Sequence, residues 1–395
     1  MAATEAATET EAATETETEA ATETETVTVS ASAAAAAAAA AAVSAAAAVS
    51  AAAAVSAAAA VSASAPLGNN PPPLQRPNPA MRHPHALLAS LLLFTGCVHT
   101  TAAPVEAPQH QAIGIVDAEL TSLIARPEIR SARIVVVSVA TGEVLAASGI
   151  DRGGNHPELA TEEVRSHGSA GKPLTLAAAI DAETVQLSST FPGANLERDG
   201  IAISDHALHE TMSLEDVLTF SSNVATTQIG ESLGSAALVS ALGRFHLGHR
   251  VPDVARSAIE FARLAFGAGL ETTSVELAQS YAVLARGGTW PDGTRAVSND
   301  AARLTMALLT TAVFREDGTG HRAAALGLPV AGKTGTVPTE GGTFGVFVGV
   351  FSPDAIAQYV VLVGIESSDD SYSGGTLAAP SFVRIASGLR DGQRP

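Results

Sequence analysis

The strongest constraint on this chain is that its strand-forming segments sit at opposite ends of one stretch of sequence, with helical patterns between them. ARIVVVSVATGEVLAASG, residues 132–149, reads as a hairpin of two β-branched runs meeting at ATGE, where Gly142 suits a tight turn. FGVFVGVFS (344–352) and QYVVLVGIE (358–366) are two more apolar strands, separated by the turn-like PDA. The intervening helices have readable starts. Ser213 and Asp216 bracket a first turn in SLED, and Thr273 with Glu276 form a capping-box pattern in a helix that ends at Gly287 and Gly288. APSFVRIASGLR, after the last strand, is a helix suited to packing back on the sheet. The expected fold is α+β: an antiparallel sheet formed by the N- and C-terminal strands, with a helical subdomain inserted between them.

Little before residue 126 has the composition of a packed core. Residues 1–80 are a low-complexity extension of Ala, Thr and Glu followed by VSAAAA repeats, which offer too little apolar surface to offset chain entropy. At Met81 the composition changes: Arg82, an apolar run from Ala86 to Phe94, then Thr95, Gly96 and Cys97. That is the layout of an export signal over 81–96, too short to span a bilayer comfortably. FTGC resembles a bacterial lipobox, with Phe94 where Leu is usual. The resemblance implies that Cys97 is lipidated and that the mature protein is an exported lipoprotein facing the periplasm or cell envelope. Residues 97–125, rich in Pro and Ala, are expected to be a tether ahead of one domain over 126–395. Cys97 is the single cysteine, so no intrachain disulfide forms. A net charge of −18, still strongly negative without the acidic repeats, argues against a nucleic-acid partner. The scattered histidines have no zinc-ligand spacing, and no metal or cofactor is called for.

The chemistry gathers around the lysines. Lys172 and Lys333 are the only two in the chain, every other basic side chain except histidine being arginine. Lysine differs from arginine in that burial and neighbours can bring it to a neutral, proton-accepting form. Pro173 belongs in the first turn of a helix, so the helix of KPLTLAAAID begins at or just before Ser169, and a spacing of three places Lys172 on the face of Ser169. Alone, S-x-x-K is most often a capped helix start. Here a helix stops at TFSSNV, with Ser221 and Asn223 at alternate positions of a short loop. Further on, PVAGKTGTV carries Lys333, Thr334, Gly335 and Thr336 on a strand whose glycines admit a ligand backbone.

S-x-x-K, S-x-N and K-T-G in this order resemble the active site of penicillin-binding proteins and serine β-lactamases. The resemblance runs from about Ala132 to Gly388 and includes FGAGLETTSVELAQSYAVLARGG, similar to a helix of the penicillin-binding transpeptidases. It departs at Ala170 and Gly171, where Thr and a bulky residue are usual, and at Glu276, usually Gln. Between Cys97 and Arg133 there is no room for the N-terminal pedestal of the division and elongation transpeptidases.

The resemblance implies a serine β-lactamase/D,D-transpeptidase-like fold and a Ser169 acyl-enzyme formed on D-alanyl-D-alanine stem peptides of peptidoglycan, or covalently on β-lactams. Lys172 would act as base with its pKa lowered by Lys333, Ser221 would relay the proton and Asn223 would orient Lys172 and the substrate amide. Lys333, Thr334 and Thr336 around Gly335 would hold the terminal carboxylate, and the Ser169 and Thr336 N–H groups would form the oxyanion hole. A cross-linking D,D-transpeptidase leads, with a D,D-carboxypeptidase, a serine β-lactamase and a non-enzymatic β-lactam sensor as alternatives. A membrane is a partner through the lipid anchor, and no protein partner is named by the sequence.

Overall fold

A computed structural model describes residues 106–251, 257–352 and 359–392. The low-complexity extension, the signal segment, Cys97 and the PDA turn lie outside the described residues. A six-stranded sheet runs through the domain. Its strands are β1 (Ile129–Ser138), β2 (Val144–Asp151), β3 (Gly154–Asn155), β4 (Val330–Thr339), β5 (Gly342–Phe351) and β6 (Tyr359–Ser367). Their order is β4-β5-β6-β1-β2-β3, every neighbouring pair antiparallel. The expected topology is therefore observed: β1 pairs with β6, with Val135 opposite Leu362 and Val136 opposite Val361, and the two ends of the domain meet in mid-sheet.

Both faces of the sheet are covered, which is why its strands are nearly continuous apolar runs. Side chains alternate between faces along a strand. Val135 and Val137 accordingly join one core while Ile134 and Val136 join the other. The first core faces the helical subdomain, including α2 (Lys172–Asp181), α3 (Leu214–Thr219), α4 (Asn223–Leu233), α5 (Ala258–Ala265), α6 (Ser274–Ala285) and α7 (Asn299–Phe314). The second faces α1 (Glu106–Ile124) and α8 (Ala379–Asp391). The expected capping box forms at Thr273 with Glu276, and the first turn bracketed by Ser213 and Asp216 is closed by a capping box as well.

Two expectations are corrected. The tether expected over 97–125 is, across Glu106–Ile124, a helix of 19 residues. Ala112, Val116, Leu120 and Leu123 recur at helical spacing and are buried against the sheet, and Glu119 pairs with Arg384 of α8 at 2.6 Å. Ile113, which is exposed, and Ile115 fall off this stripe and blur its signal, and the helix depends on the sheet beneath it. Asn223, expected in a loop, is the first residue of α4, with the Ser222 side chain capping that helix by accepting from Ala225 N–H. Only residues 220–222 separate α3 from α4.

Candidate active site

Three chain segments converge on one cleft of about 560 Å³, whose lining includes Ser169, Ser221, Asn223, Thr334 and Thr336. Ser169 lies in a 3-10 turn, Gly168–Gly171, that runs directly into α2, so Lys172 opens the α-helix one turn later. The turn is held from below. Tyr281 of α6 donates its hydroxyl to the Ala170 carbonyl at 2.8 Å, and Thr175 bonds the Ala265 carbonyl at 2.8 Å. His167, buried and lowered to about 3 by burial and by Arg133 and Arg165, is a neutral ring bonded to Ser274 and Thr272. Gly171 is explained by packing: a Cβ there would sit 3.1 Å from the Cα of Gly267.

Lys172 is fully buried, and its Nζ lies 2.6 Å from Ser169 Oγ and 2.7 Å from Asn223 Oδ1. Burial pulls its ammonium down to about 7, with Asp205 opposing the shift. The lowering expected from Lys333 is thus supplied by burial. The repulsion acts on Lys333, which burial and the Lys172 charge hold well below the usual lysine range. Lys333 is buried on β4 and donates to Ser221 Oγ at 2.8 Å and to the Thr334 carbonyl at 3.0 Å. Behind the cleft therefore lie two buried lysines, each bonded to the hydroxyl of a serine that lines it.

β4 is an edge strand of the sheet and lies against the Ser169 turn. Gly335 makes this approach possible, since a Cβ there would fall 2.1 Å from the His167 carbonyl oxygen. Beyond it, Thr336 Oγ1 accepts from Gly374 N–H at 3.2 Å. Ser221 adopts φ 60°, a backbone state that costs a non-glycine residue free energy and persists where surroundings enforce it. Those surroundings are visible. Thr319 N–H donates to the Thr219 carbonyl at 3.1 Å, and Arg315 reaches Asp216 at 2.9 Å while lying over the Phe220 ring.

Asp205 joins the site from outside the three motifs. It follows a hairpin, Leu196–Arg198 with Ile201–Ile203, whose Asp199–Gly200 turn has φ 51° and 74° at its two central residues, the geometry favoured by Asp-Gly. Its carboxylate accepts from Ser222 Oγ at 2.5 Å, Asn223 N–H at 2.6 Å and Val224 N–H at 3.1 Å. It thereby holds the start of α4 and the Asn223 side chain that meets Lys172. The Asp-Gly turn was the available signal for the hairpin; nothing in SDH marks the carboxylate itself. Glu276, the other departure, serves its capping box and faces His249 and Arg250.

A buried lysine whose ammonium is brought to about 7, bonded to a serine hydroxyl and with a second buried lysine nearby, is equipped for acyl transfer through that serine. Comparison with known proteins points the same way. The model of the penicillin binding protein transpeptidase domain matches residues 132–387. A probable peptidoglycan D,D-transpeptidase PenA of Neisseria flavescens is 28% identical over 312 residues, covering 68% of this chain and 78% of that protein. The peptidoglycan D,D-transpeptidase FtsI of Escherichia coli K12 is 27% identical over 317 residues, 70% of this chain, and the match spans only 54% of it. The fold is shared with the transpeptidase domain of Burkholderia pseudomallei penicillin-binding protein 3, with a TM-score of 0.62, 24% identity, and coverage of 73% of this chain and 96% of that one.

Proposed function

The chain belongs to the penicillin-binding protein transpeptidase domain family, and from that premise we propose that it is a serine-type peptidoglycan D,D-transpeptidase that also binds penicillin covalently. The observation that carries the reading is the bonding of Lys172 to both Ser169 and Asn223, with Lys333 on Ser221. In this reading neutral Lys172 takes the Ser169 proton as Oγ attacks the carbonyl of the penultimate D-alanine. Ser221, fed by Lys333, passes a proton to the departing D-alanine nitrogen as the C–N bond breaks. Lys333, Thr334 and Thr336 receive the terminal carboxylate, whose charge returns Lys333 to its protonated form. The N–H groups of Ser169 and Thr336 stabilise the oxyanion, and an acceptor amine then takes the acyl group.

Water is a poor competitor in the last step. Among the described residues lining the cleft, Asp205 is the one carboxylate, and its oxygens are already engaged by Ser222, Asn223 and Val224. This supports a long-lived penicilloyl adduct over the rapid hydrolysis of a β-lactamase. Intact-mass measurement after penicillin treatment is expected to show one adduct, absent in Ser169→Ala and released slowly. Fast drug turnover would overturn the transpeptidase assignment.

The finer localisation rests on FTGC and the apolar run before it. We assign Cys97 as a lipidated residue anchoring the domain at the envelope side of a membrane, several acyl chains giving firmer attachment than one. Among the described residues no helix is long and apolar enough to cross a membrane. Expression from Met81 should give a membrane-associated product that Cys97→Ser releases or leaves unprocessed. A mature chain retaining residues 1–80 would refute the assignment.

A further inference from the structure

Beside the cleft lies a second hollow of about 260 Å³. Ile201 and Ile203 of the hairpin, Ile259 of α5 and Phe266 wall it with apolar surface, and Arg263 lines it as well. Asn223 and Phe266 line both hollows. Arg263 is solvent-exposed and, among the described residues, its guanidinium has no ion-pair or hydrogen-bond partner. Two acids of neighbouring elements are engaged by other groups. Asp199 accepts from Ile259 N–H at 2.8 Å, and Glu231 is held by two nitrogens of Arg198 at 2.6 and 2.8 Å. An unpaired guanidinium over an apolar wall is a receptor for a carboxylate on an aliphatic stem.

The proposed chemistry orients the substrate. A donor peptide acylated at Ser169, with its terminal carboxylate toward Lys333 and Thr334, extends its other end past Asn223, the residue that meets the amide preceding the acylated alanine. The residue on the far side of that amide therefore arrives where the two hollows share a wall. The geometry points to this second hollow as a subsite for a free carboxylate on the donor stem peptide, upstream of the acylated alanine, with Arg263 as its ligand. The inference rests on the transpeptidase reading of the cleft. Two placements on a donor peptide would present such a carboxylate: the end of the side chain of the residue next to the acylated alanine, or the α-carboxylate of a γ-linked residue one position further away.

The test uses the full chain with synthetic donor pentapeptides ending in D-alanyl-D-alanine, following release of D-alanine in the presence of an acceptor amine. One donor carries both carboxylates, two others have one or the other amidated, and a fourth ends its side chain in an ammonium alone. The expected result is a preference of about tenfold in kcat/KM for the free carboxylate over its amide, the size of one charge-assisted hydrogen bond. Arg263→Gln is expected to bring that ratio close to one, and Arg263→Glu to favour the ammonium-bearing donor. Thermal unfolding checks that both variants fold, Arg263 being exposed. Loss of preference on amidating either carboxylate supports the subsite and identifies its source. No preference in the parent, or a preference that survives in Arg263→Gln, overturns it. Penicillin acylation of the parent at Ser169 separates the two failures: if it occurs without donor preference only the subsite falls, and if it does not occur the reading of the cleft falls as well.

Discussion

Lys172 and Lys333 have similar surroundings and, in the proposed mechanism, different tasks, so one conservative substitution separates them. Arginine cannot surrender its proton, since its pKa exceeds about 12. Lys172→Arg is therefore expected to abolish penicillin acylation, a loss of at least about 10²- to 10⁴-fold, the usual weight of a general base. Lys333→Arg keeps a positive charge for a carboxylate and should retain a reduced, measurable rate, with circular dichroism verifying that both proteins fold. If Lys172→Arg acylates at the parental rate, the base assignment is wrong. The pH profile tests the same point. With Lys172 at about 7, the ammonium form below that pH cannot accept the serine proton, so acylation should fall about tenfold per pH unit on the acid side and level off above it. Asp205 holds the Lys172 pKa up, so Asp205→Asn should move the acid limb to lower pH. The same change weakens the capping of α4, at a cost of about 1–2 kcal/mol measurable by urea unfolding. A midpoint that stays in place would show that Asp205 acts only through the backbone.

At the scale of elements, the site depends on the approach of the β4 edge strand to the Ser169 turn. Gly335→Ala would force β4 away from the His167 carbonyl. Displacing reacting groups by about 1 Å can cost about 10²-fold in rate, and a loss of that order is expected in penicillin acylation while the far-ultraviolet circular dichroism stays unchanged. Gly114 makes the opposite case within α1. Its Cβ position is open, with no atom within 4 Å, and the residue is exposed. Gly114→Ala should raise unfolding stability by about 0.5–1 kcal/mol with acylation untouched, because alanine loses less backbone freedom in a helix.

Across the whole molecule, the sheet separates two cores: the one under α1 and α8 supports the sheet from behind, and the other carries the catalytic helices. Leu120→Ala is therefore expected to cost about 2–5 kcal/mol, read as a lower denaturation midpoint, while the pH midpoint of acylation stays where it was. What depends on local order is legible in the chain alone: the β-branched runs of the sheet, the helix starts at Ser213 and Thr273, and the one-turn spacing of Ser169 and Lys172. Those features depend on spacings of one to four residues, which backbone periodicity converts directly into a shared face or cap. Tertiary structure decided what depends on distant partners. α1 forms where the sheet offers it an apolar bed, Asp205 meets Asn223 because a hairpin turns at Asp199–Gly200, and Gly171 is matched to Gly267 across the site. Lys172 reaches about 7 because packing from many elements removes water around it. Burial is a sum over contacts distant in sequence, and no short motif encodes that sum.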